Sequence, residues 1–133
     1  MFATSPAESV HALDHLALSA PSITFWTARE NGHLLGCGAL KLLDSPASPG
    51  RHGEIKSMRT AATARGRGVA TLMLGHILDD ARARNLGSVY LETGTEDYFA
   101  PARRLYARHG FMECPPFADY VLDPNSVFMV LRL

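Results

Sequence analysis

The stretch GEIKSMRTAATARGRGVATLMLGHILDDARARNLGSVYLETG, residues 53–94, decides how this chain folds. Its middle carries the clearest periodicity in the sequence: Ala70, Met73, Leu74, Ile77, Leu78 and Ala81 recur at i, i+3, i+4, i+7, i+8 and i+11, while Thr71, Asp79, Asp80, Arg82 and Arg84 take the other side. An apolar stripe at that period is an amphipathic helix, here opening from Gly68 and stopping at Asn85-Leu86-Gly87. The flanking segments, GEIKSMRT (53–60) and SVYLETG (88–94), read as strands. Strand, helix and strand in succession imply a parallel pair joined by a crossover.

Upstream, SITFWTARE (22–30) and HLLGCGALKLL (33–43) are rich in β-branched, aromatic and aliphatic residues, and the Asn31-Gly32 pair between them is a hairpin signal. SPAESVHALDHLAL, from Ser5, starts with a serine, a proline and an early glutamate and reads as a helix. DSPASPGRH (44–52), with two prolines and a glycine, is an exposed loop. Downstream, a short helix is expected with Pro101 as its first residue, with Ala102, Leu105, Tyr106 and His109 on one face, ending at Gly110. FMECPPF begins as a strand and breaks at its double proline, ADYVLDPN is loop, and SVFMVLRL (126–133) is the last strand. The fold class is therefore α/β (α+β), a mixed central sheet flanked by helices, in a single domain over residues 1–133.

The totals narrow the function. Thirteen basic and thirteen acidic residues balance to zero, so no overall field favours nucleic acid or an anionic membrane, and any anion preference is local. Eleven of the basic residues are arginines, clustered at Arg59, Arg65, Arg67 and at Arg103, Arg104, Arg108. The N-terminus lacks the pattern of a signal peptide, no run approaches a membrane span, and Cys37 and Cys114 are too few for a disulfide scaffold, so a cytoplasmic protein is expected. The histidines and cysteines show no metal-ligand spacing, so no metal is expected.

The entrance to the central helix is unusual, because Gly66 and Gly68 stand where glycine disfavours helix. Glycine keeps Cβ atoms away from an approaching anion, and the first amides of a helix have no internal partner. Residues 66–71 can therefore cradle a pyrophosphate, with the helix dipole, Arg65 and Arg67 adding positive charge. On the glycines alone, a tight strand-to-helix turn that happens to be basic is an equal reading. No Gly-Lys-Ser/Thr follows, and residues 65–70 are not G-x-G-x-x-G, which excludes two common phosphate loops.

Arg-x-x-Gly-x-Ala at 65–70, straight after a strand and opening a long helix, resembles the acetyl-CoA pyrophosphate signature Gln/Arg-x-x-Gly-x-Gly/Ala of the GCN5-related N-acetyltransferase (GNAT) superfamily. GEIKSMRT is similar to that family's fourth strand, SVYLETG to its fifth, and PARRLYARHGF to its "A-x-x-L-Y-x-x-x-G-F" segment, so the likeness runs from about residue 22 to the end. The tail CPPFADYVLDPNSVFM looks like that of a bacterial subgroup of small acetyltransferases. There are two departures. About twenty residues before Ser22 leave space for one helix only, so the family's first strand is lost or truncated, or a second chain in a homodimer supplies it. Phe99 stands where many members place an asparagine that contacts pantetheine.

The resemblance implies a splay between the fourth and fifth strands that admits the pantetheine arm of acetyl-CoA, the co-substrate. Backbone groups of Met58, Arg59 and Thr60 would bond its amides, and Arg65, Gly66, Arg67, Gly68, Val69, Ala70 and Thr71 would hold the pyrophosphate. Tyr106 matches the family's tyrosine and is the candidate acid for the departing thiolate; the alternative reading is a core aromatic beside Leu105. Glu54 is the candidate base, directly or through water, against a solvated strand-start glutamate, and Glu92 is its rival. Arg103 and Arg104 would meet the 3′-phosphate or form a solvated helix face. Acceptor-side walls would come from Ser5 to His15, the 44–52 loop, and the 115–126 loop with Phe117, Asp119 and Tyr120. The expected activity is acetyl transfer to an amine, or other nucleophile, of a small polar acceptor; a non-catalytic acyl-CoA-binding module is the alternative.

Overall fold

A computed structural model describes residues 22–43 and 51–133. The expected N-terminal helix, the question of the missing first strand and most of the 44–52 loop lie outside the described residues.

Six strands form one sheet in the order β1-β2-β3-β4-β6-β5. They are β1 (Ile23–Glu30), β2 (His33–Leu43), β3 (His52–Thr60), β4 (Ser88–Gly94), β5 (Met112–Glu113) and β6 (Ser126–Arg132). Only β3 and β4 run parallel; every other neighbouring pair is antiparallel. Helix α1 (Val69–Ala83) makes the crossover between β3 and β4, and α2 (Ala100–Arg108) leads from β4 towards β5. Asn31 and Gly32 both take positive φ, 51° and 80°, the combination that a two-residue hairpin with matching twist requires.

Core packing explains where α1 sits. Met73, Leu74, Ile77, Leu78 and Ala81 face Leu40, Ile55, Val89, Leu91 and Met129 of the sheet in one core that also takes in Leu105 and Tyr106 of α2. Each large side chain buried there contributes roughly 1.5–3 kcal/mol. Close approach is enforced by Gly36 and Gly38 of β2. A Cβ at Gly38 would lie 2.8 Å from Met58 Sδ and 3.0 Å from Ile77 Cδ1, and one at Gly36 would lie 3.0 Å from Val69 Cγ1. The first turn of α1 is thereby pressed onto the sheet beside the end of β3.

Both helices end in the same way. Leu86 N–H donates to Ala81 and Asn85 N–H to Arg82, while Phe111 N–H donates to Tyr106 and Gly110 N–H to Ala107. These are paired Schellman bonds, with Asn85 (φ 60°) and Gly110 (φ 96°) as the left-handed residues. Three boundaries differ from expectation by a residue or so. His52 joins β3 because it pairs with Leu43 and Ser88. Val69, rather than Ala70, takes the first buried place on α1, since it packs over Gly36. Helix α2 starts at Ala100, because a 3-10 turn over Asp97–Phe99 leads into it.

Candidate active site

The site begins with a break in the sheet. Strands β3 and β4 pair from His52↔Ser88 to Ile55↔Leu91 and no further, although β3 continues to Thr60 and β4 to Gly94. A bulge accompanies the parting: Cys37 and Ala39 of β2 stand opposite Arg59 and Lys56, so Gly38 alone spans two residues, Ser57 and Met58. Ser57 holds φ 57°, a left-handed value that costs a non-glycine residue about 1–2 kcal/mol, and its carbonyl accepts from Cys37 Sγ at 3.2 Å. Burial raises the Cys37 thiol pKa above its ordinary value, against the opposing influence of Arg59.

Past the bulge, successive residues of β3 turn their backbone groups alternately to either side. Arg59 stands opposite Cys37, and Ala61 N–H donates to Leu35 O at 2.7 Å, so these two face β2. Met58 and Thr60 therefore turn towards the gap. Two of the three expected pantetheine residues present main-chain groups to the open side, and Arg59 presents its own to β2. The gap can take an extended, amide-bearing chain as a substitute strand.

At the end of β3 lies the glycine-rich entrance. Gly66 and Gly68 each adopt φ 79°, and a Cβ on either would touch nothing within 4 Å. Their glycine identity answers to backbone conformation, leaving open space above the turn. The first internal bond of α1 runs from Leu72 N–H to Gly68 O, no side chain caps the helix, and its first turn holds no acidic residue. Among the described residues, none of the amides from Gly66 to Thr71 has a partner. A helix start with unpaired donors and a positive dipole end suits an anion. Arg65 Nη2 lies 3.4 Å from the Tyr98 hydroxyl, a contact that crosses from the β3 side to the β4 side. Arg67 instead forms a two-pronged pair with Glu30 at 3.0 and 3.1 Å, pointing to the hairpin.

Phe99 fills space at this end by packing its ring on Gly94, where no Cβ would fit. Arg103 donates to the carbonyls of Gly94 and Glu96 at 2.5 and 3.0 Å, finishing the end of β4, while Arg104 stays exposed. Tyr106 is buried in the core beneath α2, edge-on to Phe111 at 5.6 Å. Burial pushes its phenol pKa up to about 12, which keeps the hydroxyl protonated.

The opposite face of the sheet carries the carboxylates. Glu54 is only 3% exposed, which removes the reading as a solvated strand-start residue. Its Oε2 accepts from the Tyr120 hydroxyl at 2.6 Å and pairs with Lys56 Nζ at 3.4 Å, and Lys56 Nζ also donates to the Tyr120 oxygen at 3.2 Å. Glu92 is exposed and accepts from Ser126 Oγ at 2.7 Å. Tyr120 is where the two carboxylates meet electrostatically: burial, then its bond to Glu54, then the charges of Glu54 and Glu92 raise its phenol pKa. The Tyr120 bond escapes sequence reasoning because its partner is 66 residues away and no spacing rule connects them.

Comparison with known proteins agrees with this geometry. A model of the acetyltransferase (GNAT) family matches residues 2–111. The chain is 54% identical over 129 residues to the uncharacterized N-acetyltransferase YsnE of Bacillus subtilis, covering 97% of this chain and 82% of that protein. It is 42% identical over 124 residues to an IAA acetyltransferase of Azospirillum brasilense, covering 93% and 77%. Among solved structures, a Klebsiella pneumoniae protein assigned as an acyl-CoA N-acyltransferase superposes with a TM-score of 0.75 at 30% identity, covering 90% of this chain and 79% of that one.

Proposed function

This chain belongs to the acetyltransferase (GNAT) family and is an acyltransferase, and from that premise we propose that it moves the acetyl group of acetyl-CoA onto an amine, or another nucleophile, of a small polar acceptor by direct attack in a ternary complex. One observation carries the reading. The unpartnered amides of Gly66–Thr71 lie at the end of the strand whose parting from β4 opens the gap, so a diphosphate and an extended amide arm have adjoining places. A Clostridium acetobutylicum protein assigned as an acetyltransferase, 28% identical with a TM-score of 0.61 and covering 74% of this chain and 64% of that one, was solved with acetyl-CoA, which supports the assignment.

In this reading Met58 and Thr60 bond the pantetheine amides, and residues 65–71 hold the diphosphate. The acceptor nitrogen forms its bond to the thioester carbon as the carbon–sulfur bond breaks. Glu54 accepts the proton released from nitrogen, directly or through one water, and the Tyr106 hydroxyl donates a proton to the leaving sulfur. Before the next turnover Glu54 releases its proton to solvent and the phenoxide left on Tyr106 takes one back. Glu54 lies on one face of the sheet and Tyr106 in the core on the helix-covered side. Glu92, exposed and held by Ser126, serves the acceptor side in place of acting as base.

Turnover of acetyl-CoA with a panel of amines tests this proposal, and IAA, for which the Azospirillum relative is named, belongs in the panel. At least one acceptor should be acetylated, and Tyr106→Phe should lower kcat on the order of a hundredfold with coenzyme A affinity unchanged. Tight coenzyme A binding without acetylation of any acceptor would contradict it.

A further inference from the structure

We propose that Tyr120 is a positioning residue for Glu54, fixing which carboxylate oxygen meets the acceptor's proton. The inference rests on Glu54 being the base. Both donors that reach Glu54, the Tyr120 hydroxyl and Lys56 Nζ, converge on the same oxygen, Oε2. Among the described residues nothing engages Oε1, so it is the oxygen left to accept a proton. A carboxylate held at one oxygen cannot turn freely, and pre-set orientation is what proton transfer in a confined site demands.

Tyr120 is itself held firmly. Its N–H donates to Phe117 O at 3.0 Å, closing a turn in which Ala118 takes φ 51°. Its ring packs against Phe117 at 5.0 Å and Phe128 at 5.5 Å, and Phe117 packs in turn on Tyr90 of β4 at 4.8 Å. Tyr90 is the Cα partner of Glu54 across the parallel pair, one residue before that pairing ends. The loop between β5 and β6 is therefore anchored by aromatic contacts to the strand beside Glu54, and it delivers one hydroxyl to the point where the sheet parts. Simple charge pairing would need Lys56 alone. The additional phenol, whose ionisation is opposed by both Glu54 and Glu92, supplies a directional donor that stays protonated.

A double-mutant cycle on Tyr120→Phe and Glu54→Gln tests the inference, using kcat for acetyl-CoA with the acetylated amine of the panel and coenzyme A affinity by calorimetry. Tyr120→Phe keeps the ring and should lower kcat about tenfold, leaving coenzyme A affinity unchanged. In the Glu54→Gln background the same change should alter kcat by less than about twofold, because its effect acts through the carboxylate. Equal losses in both backgrounds would overturn the positioning role alone. Wild-type kcat in Glu54→Gln would remove Glu54 as base, and this role with it. A second readout needs no acceptor: tyrosinate absorbance, taken as the difference between wild type and Tyr120→Phe, isolates the Tyr120 phenol. It should ionise above the ordinary tyrosine range in wild type and at lower pH in Glu54→Gln; the same titration in both proteins would overturn the coupling.

Discussion

The turn before α1 and the face around Glu54 are built in opposite ways. At Gly66–Thr71 the donors are main-chain amides, the two glycines add no side chain, and no described group occupies the space above them. Around Glu54 every function is a side chain, and three polar groups satisfy one another at 2.6–3.4 Å inside a wall of aromatic rings. The first region is ready for a ligand that brings its own negative charge. The second is internally balanced, and its chemistry depends on which oxygen the balance leaves over. On the proposed function, binding and proton transfer are separated in material as well as in place, and changes to one region should leave the other's function standing.

The largest effect is expected on the side-chain half. Glu54→Gln should reduce kcat by a hundredfold or more, on the order of the general-base contribution, with coenzyme A affinity within about twofold of wild type. A parallel loss of coenzyme A binding, read by calorimetry, would break the separation. On the main-chain half the reverse pattern is expected. Gly68→Ala forces a Cβ into the left-handed region at a cost of about 1 kcal/mol, and as the turn relaxes its amides lose their convergence. Coenzyme A affinity should fall about tenfold, while kcat at saturating acetyl-CoA stays near wild type.

A pH effect sharpens the contrast with the core beneath α2. An unfolded tyrosine ionises near pH 10, whereas folded Tyr106 ionises only at about 12 because burial opposes its charge. Its stabilising contribution is therefore complete below about pH 10 and is lost as pH rises through about 12, where the unfolded chain sheds the proton more readily. Thermal melts between about pH 10 and 12 should show the fall in Tm, and Tyr106→Phe should show a shallower one. The smallest effect belongs to Arg67. Its pair with Glu30 is exposed on both sides, so Arg67→Ala should change stability by no more than about 0.5 kcal/mol in a denaturant titration.

The two regions also differed in how far the sequence revealed them. The crossover, the hairpin and the entrance to α1 are local patterns: an apolar stripe, an Asn-Gly pair, two glycines before a helix. Each is written within a few residues of where it acts, and the described strands and helices follow within a residue or so. The bulge that parts β3 from β4 left no such trace, since Ser57 adopts the left-handed conformation without being glycine. The Tyr120–Glu54 bond joins residues from a loop and a strand far apart in the chain, and only the folded sheet brings them within 2.6 Å. Glu54 reads from the sequence as either a base or a solvated strand end, and its burial removes the second reading alone. Arg67 and Arg103 read equally well as anion contacts, and the fold ties both to protein partners, one at Glu30 and one at the carbonyls closing β4.

The most direct test of the whole account is an amide-resolved NMR titration of the protein with coenzyme A, repeated with pantetheine, which lacks the diphosphate. Coenzyme A should shift the Gly66–Thr71 amides strongly, and pantetheine should leave them in place while perturbing Met58 and Thr60. Unmoved Gly66–Thr71 amides at saturating coenzyme A would contradict the proposed diphosphate cradle.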